Sequence, residues 1–337
     1  MNRHDKLEGK RSGWIVSPLF DLLFFANLLW PLAFLPSYVS PDGTPYLEFW
    51  QIHFIATPHR WLTLLLVATD VDRRGGRTWL FVLIAVGVAA VMAGVQITTG
   101  SLAALGLAYY CWNSWHFASQ HSGILRIYAR KSGGAHRWND TYLLRGFVLY
   151  ASLRVFPGFD YLLASVWMDV AWVDYVMLAT AAGMIVAEII GPSTTRIPKL
   201  CYLVSVCGIY SSVIVAVHNQ QTSLLVALVV ATTIFHSVEY FAIVTHYAWR
   251  RQEHGSAGIF QHVARHWLMV LSWYLVVLGV IVGTGERYLN TAFVAVNMWA
   301  SFLHFAYDGL IWKLRQPSTA RILDAESTGA PDDEVSS

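Results

Sequence analysis

Four apolar segments of this 337-residue chain each carry a histidine or a carboxylate at a similar depth. Counting back from the first charged residue after each segment, at about 1.5 Å per helical residue, places these groups about 14–16 Å from that end, with His236 about 5 Å deeper. Ionisable groups in hydrocarbon are costly unless they are paired or functional, and neutral imidazole binds transition metals directly. The pattern therefore predicts a metal site, with one or two ions, inside the apolar layer, with the candidate ligands His59, His116, His236, Glu239 and His304.

A second set of polar residues lies on the same four segments, nearer to their ends. His304 and Asp308 are four residues apart and share a helix face, so the carboxylate can accept the second ring N–H of the histidine. The residues predicted to orient the ligands, or to hold a second metal, are His53, His121, His246 and Asp308. The side chains predicted to contact a substrate are Arg60, Trp112, Trp115, Tyr240 and Trp299.

The composition indicates which class of protein could position these residues. Hydrophobic residues make up 55% of the chain and charged residues 13%, against about 25% charged in an ordinary soluble domain. This excludes a disordered or fibrous chain and predicts an all-α, polytopic transmembrane helical bundle. The basic residues lie in short clusters between apolar blocks, so no nucleic-acid partner is predicted. The three cysteines form no CxxC pair, which argues against a thiolate metal site.

About ten transmembrane spans are predicted, each roughly 17–28 residues long and able to cross about 30 Å of hydrocarbon. Their limits are 17–39, 47–69, 78–98, 102–126, 141–157, 172–191, 199–217, 222–249, 265–284 and 289–312. The spans form one domain over 1–315, and an acidic, disordered tail is expected over 316–337. No cleavable signal peptide is expected, because the chain begins with a polar, charged stretch.

Lys and Arg lie mainly in alternate connections between the spans, with clusters at 73–77 and 126–137 among them. Such clusters mark the cytoplasmic side of a membrane protein. The alternation predicts that both termini are cytoplasmic, in what we expect to be a bacterial inner (cytoplasmic) membrane.

Three short patches suggest a family. Pro58-His59-Arg60, His116-Phe117-Ala118 and the stretch from His236 to Glu239 resemble motifs of the Brp/Blh-type integral-membrane β-carotene 15,15′-dioxygenases. In that family the first two motifs read Pro-His-Gly and His-Phe-Gly, so both glycines are replaced here. The resemblance implies a polytopic helical protein, iron bound by His59, His116 and His236, and a carotenoid substrate.

Three functions agree with these features. The first is a membrane-bound non-haem iron oxygenase acting on an apolar lipid or isoprenoid that arrives from the bilayer; copper and zinc are alternative metals. The second is a haem b electron-transfer protein with two axial histidines. The third is a transporter that uses the polar layer as a proton or metal pathway. The sequence leaves the oligomeric state open.

Overall fold

The computed structural model describes residues 13–31, 51–132, 138–156, 158–160, 169–191, 196–254, 259–288, 290–313 and 323. These residues form helices joined by short turns and contain no strand. The prediction of an all-α protein is therefore confirmed for the described part of the chain.

The helices follow one another with little intervening chain. A short helix, α1 (Pro18–Phe20), continues into a π-helical turn, and a second π-helical segment precedes α2. The main helices are α2 (Thr57–Thr69), α3 (Val71–Arg74), α4 (Thr78–Thr99), α5 (Gly106–Lys131), α6 (Trp138–Arg154), α7 (Val170–Ile190), α8 (Ile197–His218), α9 (Thr222–His254), α10 (Ile259–Arg265), α11 (Trp267–Tyr288) and α12 (Asn290–Ile311). The π-helical segments are Asp21–Phe25 and Gln51–Ala56.

Five of these helices are long and apolar enough to cross a membrane, namely α4, α7, α8, α9 and α11. They coincide with the spans predicted at 78–98, 172–191, 199–217, 222–249 and 265–284. The spans predicted at 102–126, 141–157 and 289–312 are largely helical as well, as is the described part of 47–69. Three of these four, namely 47–69, 102–126 and 289–312, carry polar residues predicted for the site. Of the span predicted at 17–39, helix is described only for 18–25. The total of ten spans and the cytoplasmic termini remain predictions.

The burial of the five apolar helices shows which of them lie inside the bundle. In α8 and α9, 56% and 44% of the apolar window is buried, against 11% in both α4 and α11. Helix α9 contacts α2, α5, α8 and α11, and α2 packs along α12. The exposed apolar faces of α4 and α11 suit contact with lipid, whereas α9 lies in the centre and carries His236 into the core.

Helix α2 begins beside a proline. Pro58 lies in its first turn, where a missing N–H removes no helical hydrogen bond. The π-helical segment Gln51–Ala56 leads directly into α2. The Tyr274 hydroxyl of α11 donates to the Pro58 carbonyl at 2.7 Å. This bond fixes the start of α2 one residue before His59.

Candidate metal centre

Four imidazole rings from four different helices meet in the core. His59 of α2, His116 of α5, His236 of α9 and His304 of α12 are all buried, with at most 7% of each residue exposed. Successive ring centres are 5.2 Å apart for His59–His236, 4.9 Å for His236–His116, 4.5 Å for His116–His304 and 5.0 Å for His304–His59. The four rings thus form a closed cycle of neighbouring contacts.

Several nitrogens of this cycle have no hydrogen-bond partner. They are Nε2 of His116, Nε2 of His304 and both ring nitrogens of His236. A buried polar atom without a partner costs about 1–3 kcal/mol, and most such atoms in folded proteins are paired. Several of them in one cluster indicate a ligand that accepts their lone pairs.

The spacing of the rings fits a single transition-metal ion. Nitrogens about 2.1 Å from a shared ion, at angles between about 90° and 109°, put imidazole ring centres about 4.5–5.3 Å apart. The observed separations fall within this range. Two overlapping groups have ligand atoms within 4.8 Å of one another: His59, His236 and His304, and His116, His304 and Asp308. His304 belongs to both groups, so it is the residue that connects them.

A threonine orients His304. The Thr63 hydroxyl lies 2.6 Å from His304 Nδ1 and donates to Asp308 Oδ1 at 3.0 Å. The Tyr240 hydroxyl donates to the same carboxylate oxygen at 2.9 Å. Since the Thr63 proton is used on Asp308, the hydroxyl oxygen accepts from Nδ1–H of His304. The lone pair of that ring is then on Nε2, the nitrogen without a partner.

The direct His304–Asp308 bond expected from their spacing is replaced by this bridge. Their closest atoms, Nδ1 and Oδ2, are 3.6 Å apart, which is too long for a hydrogen bond. Ser237 orients His59 in a similar way, with its Oγ 3.0 Å from Nδ1 of the ring.

The sequence analysis did not predict a role for Thr63 or Ser237. Their positions next to predicted ligands could have indicated one, because Thr63 lies four residues after His59 and Ser237 directly follows His236.

Glu239 lies outside both groups of candidate ligands. Its carboxylate accepts from Gln120 Nε2 at 3.0 Å and contacts His121 Nδ1 at 3.0 Å. His121 also contacts the Tyr202 hydroxyl at 3.2 Å and, through Nε2, the Tyr210 hydroxyl at 3.1 Å. We call these five residues the His121 cluster. The polar groups of this cluster are hydrogen-bonded to one another, and neither Glu239 nor His121 belongs to a group of candidate metal ligands.

The other residues predicted for the site are spread more widely. His246 is buried ten residues beyond His236 on α9, about 15 Å along the helix. The side chain of His53 lies outside the described residues. Arg60 donates to Ser301 Oγ at 3.0 Å and lines a separate small cavity of about 250 Å³. The Trp299 indole donates to the Ala85 carbonyl at 3.0 Å, so this side chain ties α12 to α4.

A larger cavity of about 660 Å³ adjoins the four histidines. His116, Asp308 and Tyr240 line it, and so do Trp112 and Trp115. Both indoles are partly exposed on the outer face of α5, at 39% and 47% of the residue surface. Three of the residues predicted to contact a substrate, Trp112, Trp115 and Tyr240, are therefore brought together at one cavity.

Comparison of this chain with family models, curated proteins and solved structures finds no match. The resemblance to β-carotene dioxygenases stays a prediction based on three short patches.

Proposed function

We propose that this protein is an integral-membrane, metal-dependent oxygenase whose iron is held by His59, His116, His236 and His304. The observation that carries the proposal is the convergence of four buried imidazoles, three of which have ring nitrogens that lack a hydrogen-bond partner. Neutral imidazole suits iron, copper and zinc, and a set with many imidazoles and few carboxylates argues against magnesium or calcium. Iron is preferred because the three family-like patches contain three of the four rings.

The surrounding residues give the proposed centre its orientation and its access. Iron with open coordination positions supplies oxygen activation. Thr63 and Ser237 hold two of the rings in position, and their hydroxyls fix which nitrogens face the centre. The cavity lined by His116 and Asp308 gives a bound molecule access to the four rings. Its largely apolar wall favours an apolar lipid or isoprenoid and limits water at the centre.

The distances also bear on the haem alternative. Two axial histidines bind haem from opposite faces, and the macrocycle then lies between their rings. The four rings here are in direct contact with one another at 4.5–5.2 Å, which leaves no slot for a macrocycle between any neighbouring pair. The geometry thus favours a bare ion over haem.

Metal content tests the proposal. Protein purified in detergent after growth with added iron is expected to hold about one iron per chain after exhaustive dialysis. His116→Ala and His304→Ala are each expected to lower that content at least tenfold, since each removes a ligand. His262→Ala, on the exposed face of α10, is the matched control and keeps the iron of the wild type. Equal iron in all three variants would contradict the assignment, as would iron lost freely during dialysis, which is the behaviour of transported cargo.

Isotope labelling tests the oxygenase part separately. Iron-loaded protein mixed with a bacterial lipid extract under ¹⁸O₂ is expected to yield lipid products that carry ¹⁸O, detected by mass spectrometry. His116→Ala removes this label and His262→Ala retains it. Label from H₂¹⁸O alone, with none from ¹⁸O₂, would rule out an oxygenase while leaving the metal site intact.

A further inference from the structure

The lining of the 660 Å³ cavity combines polar groups of opposite charge with apolar surface. It includes His116 and Asp308, which belong to the candidate metal centre. It also includes three cationic side chains, Arg126, Arg145 and Lys313, of which Arg126 follows His116 by ten residues and Lys313 follows Asp308 by five. Most of the remaining lining is apolar, formed by isoleucines, leucines and aromatic rings, many of them on α5, α9 and α12. A ligand that fills this space contacts both cations and apolar surface.

Positive charge predominates among the described lining residues of the cavity. Asp308 is the sole carboxylate among the described lining residues, and it accepts hydrogen bonds from Thr63 and Tyr240. In the described part of the chain no carboxylate lies within ion-pair distance of Arg145 or Lys313. The Arg145 Nε donates to Ser122 Oγ at 3.2 Å, and its guanidinium lies 5.3 Å from the Trp115 ring centre. These contacts hold the guanidinium in place while leaving its charge without a counter-ion among those residues.

An arginine held in this way is suited to an anionic group. Its planar fork of N–H donors matches carboxylate and phosphate oxygens, and charge-assisted hydrogen bonds are about twice as strong as neutral ones. A charged group with no apolar chain would make no contact with the apolar lining, and a neutral apolar molecule would form no ion pair with the cations. A molecule with both a charged head and an apolar chain, an amphiphile, matches both kinds of lining residue.

We propose that this cavity binds a single-chain amphiphile whose phosphate or carboxylate head lies at Arg145 and Lys313 and whose chain extends toward His116. The volume of 660 Å³ falls within the range of about 300–1,000 Å³ for pockets that enclose one small molecule. This favours one chain over the two of a phospholipid. Helical rise puts the head about 8–9 Å from these two residues of the centre, measured from Asp308 to Lys313 and from His116 to Ser122, the hydrogen-bond partner of Arg145. The substrate class is thus narrowed to anionic lipids, a step that rests on the proposed function, although the binding itself needs no metal.

Binding of a spin-labelled fatty acid tests the inference. The probe is 12-doxylstearate, which has one chain and a carboxylate, and the readout is quenching of tryptophan fluorescence in full-length protein held in uncharged detergent. Its methyl ester is the neutral match. Trp112→Phe and Trp115→Phe are expected to remove much of the quenching, because both indoles line the cavity.

The head-group contact is tested by charge removal. Arg145→Gln is expected to raise the Kd of 12-doxylstearate about tenfold or more and to leave that of the methyl ester within about twofold. Arg77→Gln, which changes an exposed arginine outside the cavity, is the control and keeps wild-type affinity for both probes. Lys313→Gln gives a second variant with the same expected direction, so the test stands even where Arg145→Gln fails to fold.

Four outcomes would overturn the inference. The first two are equal affinity of the acid and the ester in the wild type, and equal weakening by Arg145→Gln and Arg77→Gln. The third is displacement of the probe by dioleoyl phosphatidylglycerol but not by hexadecyl phosphate. The fourth is displacement by inorganic phosphate alone, which would remove the need for a chain. Iron content separates the two proposals. If iron follows His116 and His304 while binding ignores charge, this inference fails alone; if binding follows Arg145 while no variant changes iron, the metal proposal fails alone.

Discussion

Two histidine groups lie side by side in the core, and they differ in how completely they are bonded. In the His121 cluster both ring nitrogens of His121 have partners, supplied by Glu239, Tyr202 and Tyr210. The His236 ring, only 6.4 Å away from centre to centre, has no partner at either nitrogen. Both rings are fully buried. Burial and residue type are therefore alike, and what differs is the supply of hydrogen-bonding neighbours.

The cause of the difference is the helix that each ring faces. Helix α8 brings the hydroxyls of Tyr202 and Tyr210 to His121, whereas His236 faces the other imidazoles and stacks on Phe117 at 4.0 Å. A bonded cluster of this kind stabilises the bundle without any ligand. The four-ring cycle lacks that internal satisfaction, so its stability is expected to depend on what it binds.

The largest expected effect comes from removing the metal. A ligand present at about a thousandfold its Kd stabilises a protein by about 4 kcal/mol, so chelation is expected to lower the Tm of the wild type by at least about 5 °C. His304→Ala, which has lost the ion already, is expected to show no response to the chelator, and His262→Ala to respond as the wild type does. Thermal unfolding in detergent, followed by tryptophan fluorescence, measures this. An equal response of His304→Ala and the wild type would mean that the two histidine groups do not differ as argued.

The next effect concerns the bonded cluster. His121→Leu leaves the Glu239 carboxylate buried without its imidazole partner, a change that costs about 3–5 kcal/mol in comparable buried pairs. The double variant His121→Leu/Glu239→Leu is expected to be more stable than the single one, because the uncompensated charge is gone. Iron per folded chain stays at the wild-type level in both. Strictly additive losses of stability, or loss of iron from the double variant, would place Glu239 in the metal centre after all.

Much of this arrangement is visible in the sequence, and the rest is hidden for identifiable reasons. Depth along a span follows from counting residues, which is why His59, His116 and His304, predicted in one layer, do lie in one cycle. His236, predicted about 5 Å deeper, belongs to the same cycle. The direction in which a side chain points around the helix axis, and therefore which neighbour it contacts, is harder to predict from the sequence. Glu239 has nearly the depth of the rings and is three residues from His236, but which neighbour it meets depends on the packing of α5 and α8 against α9.

Hydroxyl residues are the other hidden part. Thr63 and Ser237 are unremarkable in an apolar helix, since such residues commonly bond to the backbone of the preceding turn. Ser237 does so with the Thr233 carbonyl at 2.8 Å, in addition to its contact with His59. The tail predicted as disordered over 316–337 lies outside the described residues except for Leu323, which is buried and lines the larger cavity.

The smallest expected effect comes from removing one hydroxyl, that of Thr63, which orients His304 in the four-ring cycle. Thr63→Val keeps the shape of the side chain but leaves Nδ1–H of His304 and one oxygen of Asp308 without their shared partner. Loss of such an orienting bond typically weakens metal binding by about 10–100-fold. Competition with a chelator of known affinity measures the change. Thr63→Ser retains the hydroxyl and is expected to restore binding, while Thr180→Val on the exposed face of α7 leaves it unchanged. Wild-type affinity in Thr63→Val would show that His304 needs no orientation through Thr63, and the ion would then have to depend mainly on His59, His116 and His236.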